Sequence, residues 1–166
     1  MRAMVAGLIA FAALSGVAFA NETTTPRCLS QLQLRVRGDG TRVSSKDALS
    51  LTVEIVNTSR DSVWLYGDLT YGVWLWVYDA SGKEVPPKTL FEHLPPPPRT
   101  SDYLALRPAH SLVLHDTYLN NQLGLAAGRY TAKIEFHLLS ARPDLNIPAC
   151  SGKLDTADTV SFEVVE

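Results

Sequence analysis

The stretch Leu125-Ala-Ala-Gly128-Arg-Tyr130-Thr-Ala-Lys-Ile134 constrains the fold of this chain more than any other. A leucine, a turn-forming glycine and a tyrosine that opens an alternating run have the layout of a tyrosine corner. In that device the phenol hydroxyl bonds back to backbone a few residues upstream, and it marks immunoglobulin-type β-sandwiches. It speaks to architecture and carries no chemistry.

The rest of the chain has the same grammar. Residues 31–37 set Leu32, Leu34 and Val36 against Gln33, Arg35 and Arg37, the alternation of a half-buried strand. Residues 49–57 repeat it, with Leu49, Leu51, Val53 and Ile55 on one face. Further β-prone runs occupy 62–66, 73–78, 103–106, 112–118, 129–139 and 159–165, separated by turn clusters such as Asn57-Thr-Ser-Arg-Asp61 and Asp79-Ala-Ser-Gly82. Two long irregular segments, 86–102 and 140–158, interrupt them. No stretch carries a helical period, although residues 120–127 have room for one helical turn. Roughly seven to nine short strands of this kind predict an all-β fold, an immunoglobulin-like antiparallel two-sheet sandwich.

Residues 1–20 read as a cleaved signal peptide. Arg2 supplies a positive start, 3–17 are almost wholly apolar, and Ala18-Phe-Ala20 puts small residues at both specificity positions of a cleavage site. A single membrane anchor is the competing reading, but Ser15 and Gly16 break the apolar run. Residues 21–166 then form a single immunoglobulin-like β-sandwich domain, periplasmic or secreted, with no stable membrane insertion after cleavage. Acidic residues outnumber basic ones 17 to 15 and no basic run exists, which argues against a nucleic-acid partner.

Cys28 and Cys150 are the two cysteines of the chain. In an oxidising compartment they read as one disulfide. Cys28 precedes the first predicted strand and Cys150 lies between the last two, which belong to the same end of such a sandwich. The bridge closes a loop of roughly 120 residues, worth about 4 kcal/mol on chain-entropy grounds. It is not the inter-sheet core bridge of antibody domains.

The order Asn57-Thr-Ser-Arg-Asp61, Val73-Trp-Leu-Trp-Val-Tyr-Asp-Ala-Ser-Gly-Lys-Glu-Val85, Leu104-Ala-Leu-Arg-Pro108, Leu125-Ala-Ala-Gly-Arg-Tyr-Thr131 resembles bacterial immunoglobulin-like modules. Among them it is similar to the domain of the bacterial intracellular proteinase inhibitor (BsuPI-like) family, over residues 49–138. The resemblance implies the sandwich fold and proteinase inhibition. The chain departs from it in its signal peptide, its cysteine pair, a Pro-rich insertion at Pro95-Pro-Pro-Pro98, and Ala109 where such modules often carry glycine. No inhibitory residue transfers.

Residues suited to catalysis do not converge in sequence. His93, His110, His115 and His137 form no H-x-H, HExxH or Cys-His pattern, and five-residue spacing puts His110 and His115 on opposite faces of a strand. Neither a G-x-S-x-G elbow nor a phosphate loop is present. The sequence predicts no enzyme, no metal and no cofactor. Asn57-Thr-Ser59 matches a glycosylation sequon, but is already explained as a turn.

One surface stands out. Trp74, Trp76 and Tyr78 alternate with Val73, Leu75 and Val77, and Trp64 and Tyr66 alternate with Val63 and Leu65. A sandwich strand normally buries one face. If the aliphatic face is core, these aromatics line the outside, an apolar patch of the kind that marks a partner surface. Two other arrangements compete: the aromatic face as core, or the 86–102 loop folded over it with its prolines on the indoles.

The sequence therefore predicts an exported, non-enzymatic binding or accessory module whose ligand is a protein, with Trp64, Tyr66, Trp74, Trp76, Tyr78 and Arg99 as contact residues. One alternative is a proteinase inhibitor acting through loop 94–100, stiffened by its prolines, with Arg99 foremost. Another is a structural or chaperone-like sandwich acting by strand addition, which needs an open sheet edge. Arg35 and Arg37 on the first strand and Glu163 on the last read as edge protection against it.

Overall fold

A computed structural model describes residues 27–44, 47–87, 97–141 and 143–166. The expected signal peptide lies outside the described residues. The described residues form nine strands in order: β1 (Leu32–Gly38), β2 (Arg42–Ser44), β3 (Ala48–Asn57), β4 (Val63–Tyr66), β5 (Val73–Asp79), β6 (Tyr103–Leu106), β7 (Ser111–Leu119), β8 (Gly128–Leu138) and β9 (Gly152–Val165). One sheet has the order β1-β3-β7, a second β2-β9-β8-β5, and β4-β6 form a separate ribbon. A single helical turn, α1 (Asn120–Leu123), links β7 to β8.

The alternating aliphatics explain the layers. Leu34, Val36, Leu51, Val53 and Ile55 from the first sheet meet Val77, Ile134, Phe136, Val160, Phe162 and Val164 from the second in one buried cluster. Burying each such side chain stabilises the fold by roughly 1.5–3 kcal/mol. The chain is thus an all-β, immunoglobulin-like sandwich. The tyrosine corner is present: Tyr130 Oη donates to the Ala126 carbonyl at 3.0 Å, and its ring stacks on Phe162. Gly124, and not Gly128, takes the left-handed backbone there, at φ 69°.

Two features depart from the sequence expectation. β2 was not anticipated: it is three residues long, pairs parallel with β9, and buries only Val43. β9 begins at Gly152, well inside the segment expected to be a loop. Its pairing with β8 shifts register between Lys133 and Glu135, so Thr156-Ala-Asp158 bulges out of a continuous strand. The bulge has a purpose, because Asp158 Oδ2 accepts the Val36 N–H at 3.2 Å and closes the edge of β1. Glu163 is not edge protection. β9 lies between β2 and β8, and Glu163 faces Arg42 at 3.3 Å.

Asn57, at the end of β3, is fully buried. Its Nδ2 donates to the carbonyls of Asp61 and Leu106, and its Oδ1 accepts from the Ser59 N–H and hydroxyl. Its carbonyl accepts the N–H of Ala109, whose φ is 57°. Ala109 is the third residue of the turn Arg107-Pro-Ala-His110, closed by a 3.1 Å bond from the His110 N–H to the Arg107 carbonyl. A left-handed residue after proline is the place for glycine. Ala109→Gly is expected to raise stability by about 1 kcal/mol, read as a higher urea midpoint at unchanged slope.

Cys28 and Cys150 are joined, with Cα atoms 5.7 Å apart. Cys150 is buried, and its N–H donates to the Trp64 carbonyl at 2.8 Å, so the bridge also ties the 139–151 loop to β4. Such a bond suits an oxidising compartment. No helix among the described residues is long and apolar enough to cross a membrane.

Candidate functional site

β5 is paired on one side with β8, opposing Trp74 to Glu135, Trp76 to Lys133 and Tyr78 to Thr131. Val77 is buried, and Val73 and Leu75 pack against the core. The aliphatic face of β5 therefore points inward, and the arrangement with the aromatic face as core does not hold. Trp74 is 53% exposed, the most exposed large apolar side chain among the described residues, while Trp76 and Tyr78 are half-buried beside it. Of the prolines expected to cover the indoles, Pro95 and Pro96 lie outside the described residues.

Polar groups surround Trp74. His137 packs against its indole at 5.0 Å between ring centroids. Glu135 reaches Lys153 Nζ at 3.4 Å, and Lys153 reaches Asp155 at 3.2 Å. The hydrogen bond to Asp155 heads the contacts that hold the Lys153 ammonium above its usual range. The indole N–H of Trp76 is buried and has no acceptor among the described residues.

The other aromatics do not continue this face as one stripe. Trp64 and Tyr66 belong to the β4-β6 ribbon, which is separate from the sheet that holds β5. Trp64 is 39% exposed. Tyr66 is buried against Tyr71 and Tyr103, with centroids 6.5 Å and 5.5 Å away, so the expectation that it faces outward fails. β4 ends at Tyr66, and packing of the two tyrosines overrides the alternation there. Of loop 94–100, residues 97–100 are described. Arg99 is exposed on a fixed backbone: its N–H donates to Asp102 Oδ2 at 2.6 Å and its carbonyl accepts the Asp102 N–H at 3.0 Å.

Burial, and then the carboxylates of Asp102 and Asp68, push the Tyr66 phenol above its ordinary value. Burial and the neighbouring Asp116 do the same to Tyr118 on β7. The unfolded chain releases these protons near pH 10, while the fold retains them. The stability these two tyrosines contribute is therefore expected to be constant below about pH 9 and to fall as pH rises past about 10. Urea midpoints measured across that range check it, and Tyr118→Phe should give a shallower fall.

A cluster not legible in the sequence joins β3, β7 and the end of β1, neighbours in one sheet. The Thr52 hydroxyl, buried on β3, lies 2.9 Å from Asp39 Oδ1 and 3.0 Å from His115 Nδ1. The hydroxyl has one proton, which goes to the carboxylate, so His115 donates from Nδ1. The hydroxyl then sits between carboxylate and imidazole, whereas a catalytic triad needs the imidazole in the middle as base. Among the described residues no group of three His, Cys, Asp or Glu side chains is placed to hold a metal ion.

The sequence matches no protein-family model and no curated protein. Several solved structures show a distant similarity to this chain. The C-terminal domain of Wzt is 8% identical, with 82% of this chain and 74% of that chain covered and a TM-score of 0.43. The CARDB domain of the PF1109 protein from Pyrococcus furiosus, in complex with di-metal ions, is 14% identical over 81% of this chain and 87% of its own, at 0.37. The Pseudomonas fluorescens alkylpurine DNA glycosylase AlkC is 9% identical over 82% of this chain, at 0.42. This chain spans 31% of the glycosylase and 16% of a β-glucosidase from Listeria innocua. Such low identities and scores leave function to be read from this chain's own surfaces.

Proposed function

We propose that this chain is an exported, non-enzymatic binding module, a single domain over 21–166 after loss of residues 1–20, periplasmic or secreted. It holds a protein ligand on the outer face of β5, with Trp74 central and Trp76 and Tyr78 beside it. The observation that carries this reading is a 53% exposed tryptophan on a strand whose opposite face is core. Exposing an indole to water is unfavourable, and tryptophan is among the residues most enriched where protein interfaces concentrate their energy. The Glu135, Lys153 and Asp155 ion pairs supply a polar rim.

The test is a pull-down from the exported fraction of the native host, comparing wild type with Trp74→Ser and Trp74→Ser/Trp76→Ser, each checked by circular dichroism. Retention of a specific protein by wild type and its loss by folded Trp74→Ser supports the reading. Truncating a central tryptophan typically costs about 2 kcal/mol or more of binding, a loss of roughly thirtyfold. Equal retention by wild type and both variants overturns it.

Proteinase inhibition is the second reading, favoured by the exposed Arg99 on its pinned backbone and by the BsuPI-like resemblance. It predicts inhibition of a trypsin-like proteinase that Arg99→Ala abolishes.

A further inference from the structure

A second surface lies away from the β5 face. Among the described residues β7 pairs with β3 on one side only and is the outermost strand of its sheet. The Asn57 N–H donates to the His110 carbonyl. The uninterrupted register that follows makes Ile55–Leu112, Val53–Leu114 and Leu51–Asp116 the hydrogen-bonded pairs. The N–H and C=O groups of Ser111, Val113 and His115 then point away from β3. The Thr117 N–H is already taken, by Asp116 Oδ1 at 2.8 Å. Natural edges are guarded by lysine, proline or a bulge. β7, Ser-Leu-Val-Leu-His-Asp-Thr-Tyr-Leu, has no lysine, proline or bulge; its one carboxylate, Asp116, lies towards the far end and holds the Thr117 N–H, and Val113 is 49% exposed.

A groove of about 640 Å³ runs beside residues 112–114 of this strand. Half-buried Leu104, Leu112 and Leu114 line it, together with the carboxylates of Asp68 and Asp102, and among the described residues no lysine or arginine does. An apolar lining with two carboxylates favours aliphatic and cationic side chains in alternation. The open backbone groups favour an extended chain.

We propose that β7 takes up an extended, cationic segment of a partner protein by strand addition, pairing at Ser111, Val113 and His115 and placing side chains between Asp68 and Asp102. The Thr117–Asp116 bond ends the site at its far side.

The test uses the disulfide-bonded chain and three synthetic probes: acetyl-(Val-Lys)4-amide, acetyl-(Val-Glu)4-amide, and the lysine peptide with alternate amides N-methylated. The lysine peptide is expected to slow amide exchange at Val113 and His115 about tenfold, and the other two to leave it unchanged. Val113→Pro removes an outward N–H and spares the pairs to β3, so it should fold with a near-normal urea midpoint and lose the peptide. If that variant fails to fold, Asp68→Asn, which preserves the cap on Thr70, should weaken binding about threefold. Unchanged exchange on β7 with the lysine peptide, or equal binding of the N-methylated peptide, overturns the proposal.

Discussion

Replacing both cysteines with serine is expected to lower the unfolding free energy by about 4 kcal/mol and the melting temperature by roughly 10–15 °C. The bridge joins residues 122 positions apart, so its loss mainly releases the unfolded chain. Three results should coincide. Reductant should shift wild type by the same amount, should leave the double variant unmoved, and should steepen the urea dependence as the unfolded state expands. A loss below about 1 kcal/mol sinks the chain-entropy account for this bridge. It would mean that the Cys150 N–H bond to Trp64, at the bridge that registers Ala149 with Trp64, already holds the 139–151 loop.

Asn57→Leu should cost about 3–4 kcal/mol, since it strands the buried carbonyl of Leu106, unpairs that of Asp61, frees Ser59 and leaves an apolar side chain in a site lined by polar groups. Ser59→Ala, which removes one member of the network and leaves those carbonyls paired, should cost about 1 kcal/mol. Urea unfolding of the two variants separates these values. A similar cost for both would mean that the Asn57 amide is not the hub. The same bonds bear on modification. The Asn57 amide nitrogen already serves two carbonyls in the interior, so the sequon at 57–59 should stay unglycosylated even in a host that modifies such sites, as intact mass would show.

How much was legible follows from what each signal depends on. The alternation of apolar residues in β1, β3 and β8 is local, and it marks the same runs in sequence and in structure. The tyrosine corner and the cysteine pair depend on a topology that those runs already imply. β2 escaped because three residues carry no period. The bulge in β9 escaped because Thr156-Ala-Asp158 is polar for a tertiary reason, closing the edge of β1 with Asp158. Tyr66 was misplaced because period alone assigns a face, whereas Tyr71 and Tyr103 fill space. The departure at Ala109 was legible, and its meaning, a left-handed turn occupied by the less suitable residue, needed the backbone. Of the site, the composition of the β5 face could be read directly. The β7 groove could not, because Asp68, Asp102 and Leu114 come together only in the fold.

The position of the disulfide also determines how this molecule would bear tension. A force applied between Arg27 and Glu166 enters at Cys28, crosses the bridge to Cys150 and passes directly into β9. Everything from β1 to β8 lies outside that load path. Stretching the oxidised protein can extend only the chain beyond Cys150, by peeling β9 from between β2 and β8, while the bridge shields the remainder. In a force-extension record the oxidised chain would therefore release a short length, and the reduced chain nearly all of it.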